Sequence, residues 1–271
     1  MKKHFLKHDY KAMTAKLEGQ HAAPSHVDRI INKDTRVIAP SGRIIAVLLT
    51  QKISPSLCNR AFGLWQTVNG LPDNRATAVG TDSMHRINKD GSPGKHRGVP
   101  KEVLKVLEEQ GVRQGILGYL DRSSGQPCRM TPLTRRRPEL LYQNKSLIRR
   151  VDRLYAQYER QLHAVQTAEV EKSPNYRLWD TAFTTIYVVR CLRCAYHCDA
   201  GNLRNVLSAI MAMGRFTGGE LVFPRWRIAI AFKPGDLLLF DPQQLHGNLP
   251  FEGERLSAIF YCERNIAECG K

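Results

Sequence analysis

The chain has no run of about 18 apolar residues, so nothing in it is built to cross a membrane. Its basic start, MKKHFLKHDYKAM, is not followed by an apolar stretch, so no secretory leader is expected. No internal repeat is visible. Acidic residues are scarce: 25 Asp and Glu stand against 41 Lys and Arg, a formal net charge of +16. Such a surface attracts polyanions, nucleic acid first among them; the plain alternative is a soluble protein with surplus basic side chains. Cysteine is present but unpatterned. Cys58, Cys128, Cys191, Cys194, Cys198, Cys262 and Cys269 are odd in number and irregularly spaced. That predicts reduced thiols and an intracellular protein, nuclear if the source is eukaryotic. Cys191 and Cys194 form a CxxC with His197 beyond it, but no second CxxC or HxxxH follows to complete a structural zinc site.

What is present begins with a core. Hydrophobic residues make up 42% of the 271, enough for one large folded unit and too many for a disordered tail. Residues 1–33 are polar with scattered apolar positions and read as a helical or partly ordered arm. TRVIA and RIIAVLLT, joined by Pro40-Ser41-Gly42, read as strand, turn, strand. Residues 54–67 read as a helix, with Ser54 as N-cap and Pro55 in the first turn. Residues 70–100 form a loop rich in Gly, Pro, Asn and Asp. It carries Arg75, Arg86, Lys89, Lys95, His96 and Arg97, either a solvated face or a phosphate clamp. A helix is expected at 100–110, a strand in GILGYLDR (115–122) and a loop over 123–138.

Apolar residues then recur at helical spacing from 139 to 170, which predicts one long amphipathic helix. Lys145, Arg149, Arg150 and Arg153 fall on its polar face, either solvated or against DNA. After residue 175 short β-rich runs follow one another: FTTIYVV, LSAIMAM, GELVFP, IAIAF, DLLLF and LSAIFYC. Gly-Gly and Pro-Gly turns punctuate them. This pattern predicts an antiparallel jelly roll with the earlier helices packed outside it. The expected organisation is an arm (1–33) and one catalytic domain (34–271), with the jelly-roll core at about 178–265.

His197-Cys198-Asp199 follows the FTTIYVVR strand. Residues two apart on a strand face the same side, so an imidazole and a carboxylate meet one point. His246 lies beyond DLLLF, where a jelly roll brings a distant strand end back beside the first. Two histidines and one carboxylate on one side leave adjacent positions open on iron(II), as an oxygenase requires. Arg255 and Ser257 begin the last strand. A guanidinium fork with a neighbouring hydroxyl suits the distal carboxylate of 2-oxoglutarate.

Two stretches resemble the TET/JBP family of 2-oxoglutarate/iron(II)-dependent 5-methylpyrimidine dioxygenases. HCDAGN (197–202) is similar to the family's HxDxxN, whose asparagine hydrogen-bonds the target base; here it is Asn202. RLSAIFYCE (255–263) resembles the stretch that starts with the co-substrate arginine and a serine and reaches an aromatic that stacks on the flipped base, here Tyr261. Where animal TET enzymes carry a base-contacting histidine, this chain has Glu263. An ionised glutamate only accepts hydrogen bonds, so the choice between cytosine and thymine stays open. Their cysteine-rich zinc region is absent as well.

The resemblance implies a double-stranded β-helix of the α+β class holding iron(II) on His197, Asp199 and His246, with 2-oxoglutarate on Arg255 and Ser257. Asn202, Tyr261 and Glu263 would hold the substrate, and ascorbate would support turnover. The expected substrate is methylated DNA with the base flipped out, 5-methylcytosine being oxidised to 5-hydroxymethylcytosine or beyond. The alternatives are a thymine hydroxylase of the JBP kind, or a related dioxygenase acting on RNA or on a protein side chain. A monomer without membrane contact is expected.

Overall fold

The computed structural model describes residues 1–14, 16–81, 85–87, 93–96, 98–121 and 126–270, with backbone alone at 13, 85–87 and 93–96. Residue alternation sets its strands. On Phe251–Tyr261, Leu256, Ala258 and Phe260 leave one face, and Arg255, Ser257 and Tyr261 leave the other. The first set joins the main apolar cluster, together with Trp65, Leu154, Phe183 and Met211. The second set faces an enclosed cavity.

Nine strands form the larger sheet. Its order is Lys2–Phe5, Thr35–Ile38, Ile44–Leu49, Leu237–Phe240, Ser208–Gly218, Phe251–Tyr261, Thr185–Arg190, Arg113–Leu120 and Arg129–Met130. Gly247–Asn248, Leu221–Phe223, Ile228–Ile230 and Arg29–Ile31 form the smaller one. A second apolar cluster takes Ile45, Leu48 and Leu238 from one sheet and Phe223 and Ile230 from the other, so the sheets close on each other. This is the α+β double-stranded β-helix expected from the sequence. The helices lie outside it. Lys145–Tyr158 buries Leu147, Ile148, Val151, Leu154 and Tyr155, a stripe at three- and four-residue spacing, into the main cluster. Pro55–Trp65 starts on Ser54, whose Oγ accepts from the Leu57 amide, with Pro55 at its first position. No helix among the described residues is long and apolar enough to cross a membrane.

Several elements differ from the sequence reading. The arm expected to be helical or partly ordered has a short helix, Lys11–Thr14, but also contributes a strand to each sheet: Lys2–Phe5 pairs in parallel with Thr35–Ile38, and Arg29–Ile31 with Ile228–Ile230. Both sheets had an open edge there, and unpaired backbone amides and carbonyls recruit any extended segment within reach. The single long helix is three: Glu139–Tyr142, Lys145–Tyr158 and Arg160–Glu171. The second break falls at Glu159, which takes φ −136° and ψ 56°. Arg36 holds it there, donating to the Tyr158 carbonyl and pairing with the Glu159 carboxylate at 2.7 Å. The loop expected at 123–138 contains the strand Arg129–Met130 and the short helix Pro132–Arg136, and the 70–100 loop contains the paired strands His85–Ile87 and Pro93–His96.

The thiols are not all free either. Cys128 and Cys269 are joined, with Cα atoms 5.7 Å apart, although they are separated by 141 residues. Folding brings the sheet edge beside the C-terminal turn, a proximity that sequence spacing does not reveal. Cys58, Cys191, Cys194, Cys198 and Cys262 remain free.

Trp65 is fully buried, and its indole N–H donates to the Leu140 carbonyl at 2.8 Å. Trp65→Ala should therefore cost about 3–5 kcal/mol in urea unfolding, because it opens a large cavity in the core. A loss below about 1 kcal/mol would show that this helix is not docked on the sheet.

Candidate metal and co-substrate site

His197 and His246 are paired through their backbones: each amide donates to the other's carbonyl, at 2.9 and 3.0 Å. The Asp199 amide donates to the Pro242 carbonyl at 2.9 Å, which ties the same two loops together once more. The imidazole centroids sit 4.6 Å apart. Candidate ligand atoms of His197, Asp199 and His246 all lie within 4.8 Å of one another, and among the described residues these three form the group with metal-binding geometry.

The hydrogen bonds of the rings fix their chemistry. His197 Nδ1 donates to the Ala195 carbonyl and His246 Nδ1 to the Gln244 carbonyl, both at 2.8 Å. A carbonyl can only accept, so each Nδ1 carries the proton and each Nε2 turns a lone pair toward Asp199. Burial lowers His246 to about 4, assisted by the neighbouring His197, which keeps it neutral. Burial alone would raise the Asp199 carboxyl. The neighbouring His197, His246 and Arg75 side chains outweigh it and hold Asp199 well below the usual carboxylate range. Two imidazoles whose Nδ1 atoms are committed to carbonyls, with one ionised carboxylate, are a donor set that divalent iron binds, with its remaining positions open on one side.

The cavity beside these ligands is closed at its far end by Arg255 and Ser257, both 5% exposed. Three phenylalanine rings, Phe216, Phe232 and Phe251, lie 5.4–5.6 Å from the Arg255 guanidinium. Among the described residues no carboxylate forms an ion pair with it, and its Nε has no hydrogen-bond partner. Burial lowers it only to about 10, so it remains a cation. A buried cation without a counter-ion is costly unless an anion completes it. A dicarboxylate co-substrate held by one end on Arg255 and Ser257 would supply that anion.

An open cleft meets this cavity at the metal ligands. His197, Asp199, Arg75, Asn202 and Tyr261 border both, while Glu263 borders the cleft alone. Asn202 and Glu263 are backbone neighbours across a bridge. The Asn202 amide nitrogen donates to Ser208 Oγ at 2.9 Å, and the Tyr261 hydroxyl donates to Glu263 Oε1 at 3.4 Å. All eight residues singled out in the sequence thus meet in one region.

Arg75 is the residue whose place was not foreseen. It was counted among loop cations, yet its guanidinium lies 3.9 Å from the centroid of the Tyr187 ring and 3.9 Å from Asp199 Oδ1. Only its small apolar neighbours Ala76, Ala78 and Val79 hint at an inward turn. Of its companions in that loop, Lys89 and Arg97 lie outside the described residues, as do the side chains of Arg86, Lys95 and His96.

Comparison with known proteins follows this geometry. Residues 115–264, more than half the chain, match the Tet_JBP family, described as the oxygenase domain of the 2OGFeDO superfamily. The Bifunctional helicase and thymine dioxygenase JBP2 of Leishmania tarentolae is 34% identical over 154 residues, 55% of this chain and 14% of that protein. Its Trypanosoma brucei brucei counterpart is 27% identical over 228 residues, 81% of this chain and 18% of that protein. The chain therefore spans a small part of the curated relatives' length. The NgTET1 structure in complex with 5mC DNA shares the fold, with a TM-score of 0.59 at 13% identity, over 88% of this chain and 83% of that one. By the family match, and with a donor set and a buried arginine that suit iron(II) and 2-oxoglutarate, this chain belongs to the Tet_JBP family of 2-oxoglutarate/iron(II) oxygenases.

Proposed function

We propose that this chain oxidises the 5-methyl group of a pyrimidine flipped out of DNA. One observation carries the reading: the buried, uncountered Arg255 closes a cavity whose other end is the His197–Asp199–His246 cluster, and that cluster opens onto a cleft bordered by Asn202, Tyr261 and Glu263. When bound, iron(II) with 2-oxoglutarate and dioxygen supplies the oxidant that turns a methyl C–H into C–OH, releasing succinate and carbon dioxide.

The residues do the positioning. His197, Asp199 and His246 hold the metal by their Nε2 and carboxylate atoms. Arg255 binds the distal co-substrate carboxylate as a fork, and Ser257 adds a hydrogen bond. Tyr261 offers a ring for the base to stack on. Asn202, with one amide hydrogen committed to Ser208, keeps its carbonyl oxygen for the base edge. The base has to leave the duplex to reach a buried metal, at a cost of a few kcal/mol, and stacking offsets part of it at about 1–3 kcal/mol per base. The net charge of +16 supports a polyanionic partner. The working unit, acting as a monomer, includes the arm, whose strands Lys2–Phe5 and Arg29–Ile31 belong to the two sheets.

Two bases compete. The sequence resemblance favours 5-methylcytosine, taken to 5-hydroxymethylcytosine or beyond. The names of the Leishmania and Trypanosoma relatives favour thymine. The deciding assay supplies iron(II), 2-oxoglutarate and ascorbate to methylated DNA, unmethylated DNA and methylated RNA, and counts oxidised nucleosides by mass spectrometry.

His197→Ala should abolish succinate formation and leave DNA affinity within about twofold; surviving turnover would remove His197 from the metal site. Arg255→Lys should raise the KM for 2-oxoglutarate at least about tenfold, because a lysine cannot form the two-pronged contact. DNA affinity should fall steeply with salt, log K dropping by about 0.9 per neutralised phosphate for each tenfold rise in salt. An affinity indifferent to salt would exclude duplex DNA as the partner.

A further inference from the structure

Glu263 stands out among the acidic side chains of the pocket. It borders the open cleft, yet it is only 7% exposed. Asp199 has two histidines and Arg75 around it, with nitrogen–oxygen distances of 3.5–3.9 Å. Among the described residues, no lysine, arginine or histidine forms an ion pair with Glu263. Its close partners are neutral. The Tyr261 hydroxyl, on its own chain segment, donates to Oε1, and the Thr185 hydroxyl approaches from the adjacent strand. A second buried carboxyl, Asp121 at 5% exposure, adds its repulsion from the end of Arg113–Leu120. Arg75, from the loop, is the cation among the described residues that opposes this. Burial, followed by Asp121, pushes Glu263 up to about 8, so at neutral pH it carries its proton.

The protonation state decides what the side chain can recognise. An ionised carboxylate presents two acceptors. The edge of cytosine presents an acceptor at N3 beside a donor at the exocyclic amine; thymine presents a donor at N3 beside an acceptor at O4. A carboxylate set against either edge faces one lone pair with another. A carboxylic acid presents one donor and one acceptor, and its proton can sit on either oxygen, so the order can be reversed. The Tyr261 hydroxyl can follow by rotating between donor and acceptor. We propose that Glu263 reads the base as an uncharged carboxylic acid, so that one pocket accepts both 5-methylcytosine and thymine. This rests on the dioxygenase reading above and adds its specificity residue.

The test measures the coupling ratio, methyl groups oxidised per succinate formed, which cancels pH effects on the iron and the co-substrate. Two duplexes are used, one containing 5-methylcytosine and one with thymine as its only 5-methylpyrimidine. Wild type, Glu263→Gln and Glu263→Ala are each assayed at pH 7 and pH 9. A group titrating near 8 is about 90% protonated at pH 7 and about 10% at pH 9. Wild type should therefore oxidise both bases at pH 7 and lose about tenfold in coupling at pH 9. The glutamine also offers a donor and an acceptor but cannot ionise, so its coupling should be the same at both pH values. Glu263→Ala should lower coupling about tenfold or more at both.

A wild-type ratio unmoved by pH, a wild-type fall retained by Glu263→Gln, or oxidation of only one base would overturn the inference and leave the dioxygenase reading standing. Absence of succinate with either duplex would overturn both.

Discussion

Strand Phe251–Tyr261 is hydrogen-bonded on both sides, to Ser208–Gly218 and to Thr185–Arg190, in continuous antiparallel register. That pairing is the constraint on which the site depends. Leu256, Ala258 and Phe260 are locked into the main core, which leaves Arg255, Ser257 and Tyr261 no face but the cavity. A slip of one residue would bury the guanidinium in the core and expose the phenylalanine, so hydrophobic burial enforces the position of the charged site. The neighbouring strand obeys the same rule: Ile186 and Val188 enter the core, while Tyr187 and Val189 line the cavity.

Three ionisable groups buried in this small region meet different fates, each set by its partners. Asp199 is ionised because two imidazoles and Arg75 surround it. Arg255 stays cationic, and among the described residues it forms no ion pair, although Glu220 lies near enough to favour its charge. Among the described residues, Glu263 has no cation within ion-pairing distance, and burial with Asp121 beside it pushes it up to about 8. One electrostatic logic thus gives three groups of one pocket different charge states.

The two candidate ligand histidines, His197 and His246, depend on a contact that local structure does not supply. Their backbones exchange hydrogen bonds across the gap between two loops, and both Nδ1 atoms are occupied by carbonyls two residues away in sequence, Ala195 and Gln244. The loops prepare each ring orientation locally, and the bridge brings the two rings together. This division keeps the ligand geometry preorganised before a metal arrives.

The β-rich C-terminal architecture and the candidate group of His197, Asp199, His246, Arg255 and Ser257 could be read from the sequence, and the structure brings those residues together. Period-two alternation sets the strands and puts Arg255 and Ser257 on one face, whereas His197 and Asp199 meet in a loop beyond the strand Thr185–Arg190. Tertiary structure alone decided what depends on distant segments. It split the helix at Glu159, because Arg36 reaches in from a sheet strand. It drew the N-terminal arm into both sheets, because open edges there needed partners. It turned Arg75 inward onto Tyr187 and Asp199, and it joined Cys128 to Cys269. It also set the charge of Glu263, which follows from burial and from Asp121 far away in the chain. No local pattern encodes such environments, because electrostatics and edge pairing are properties of neighbours in space.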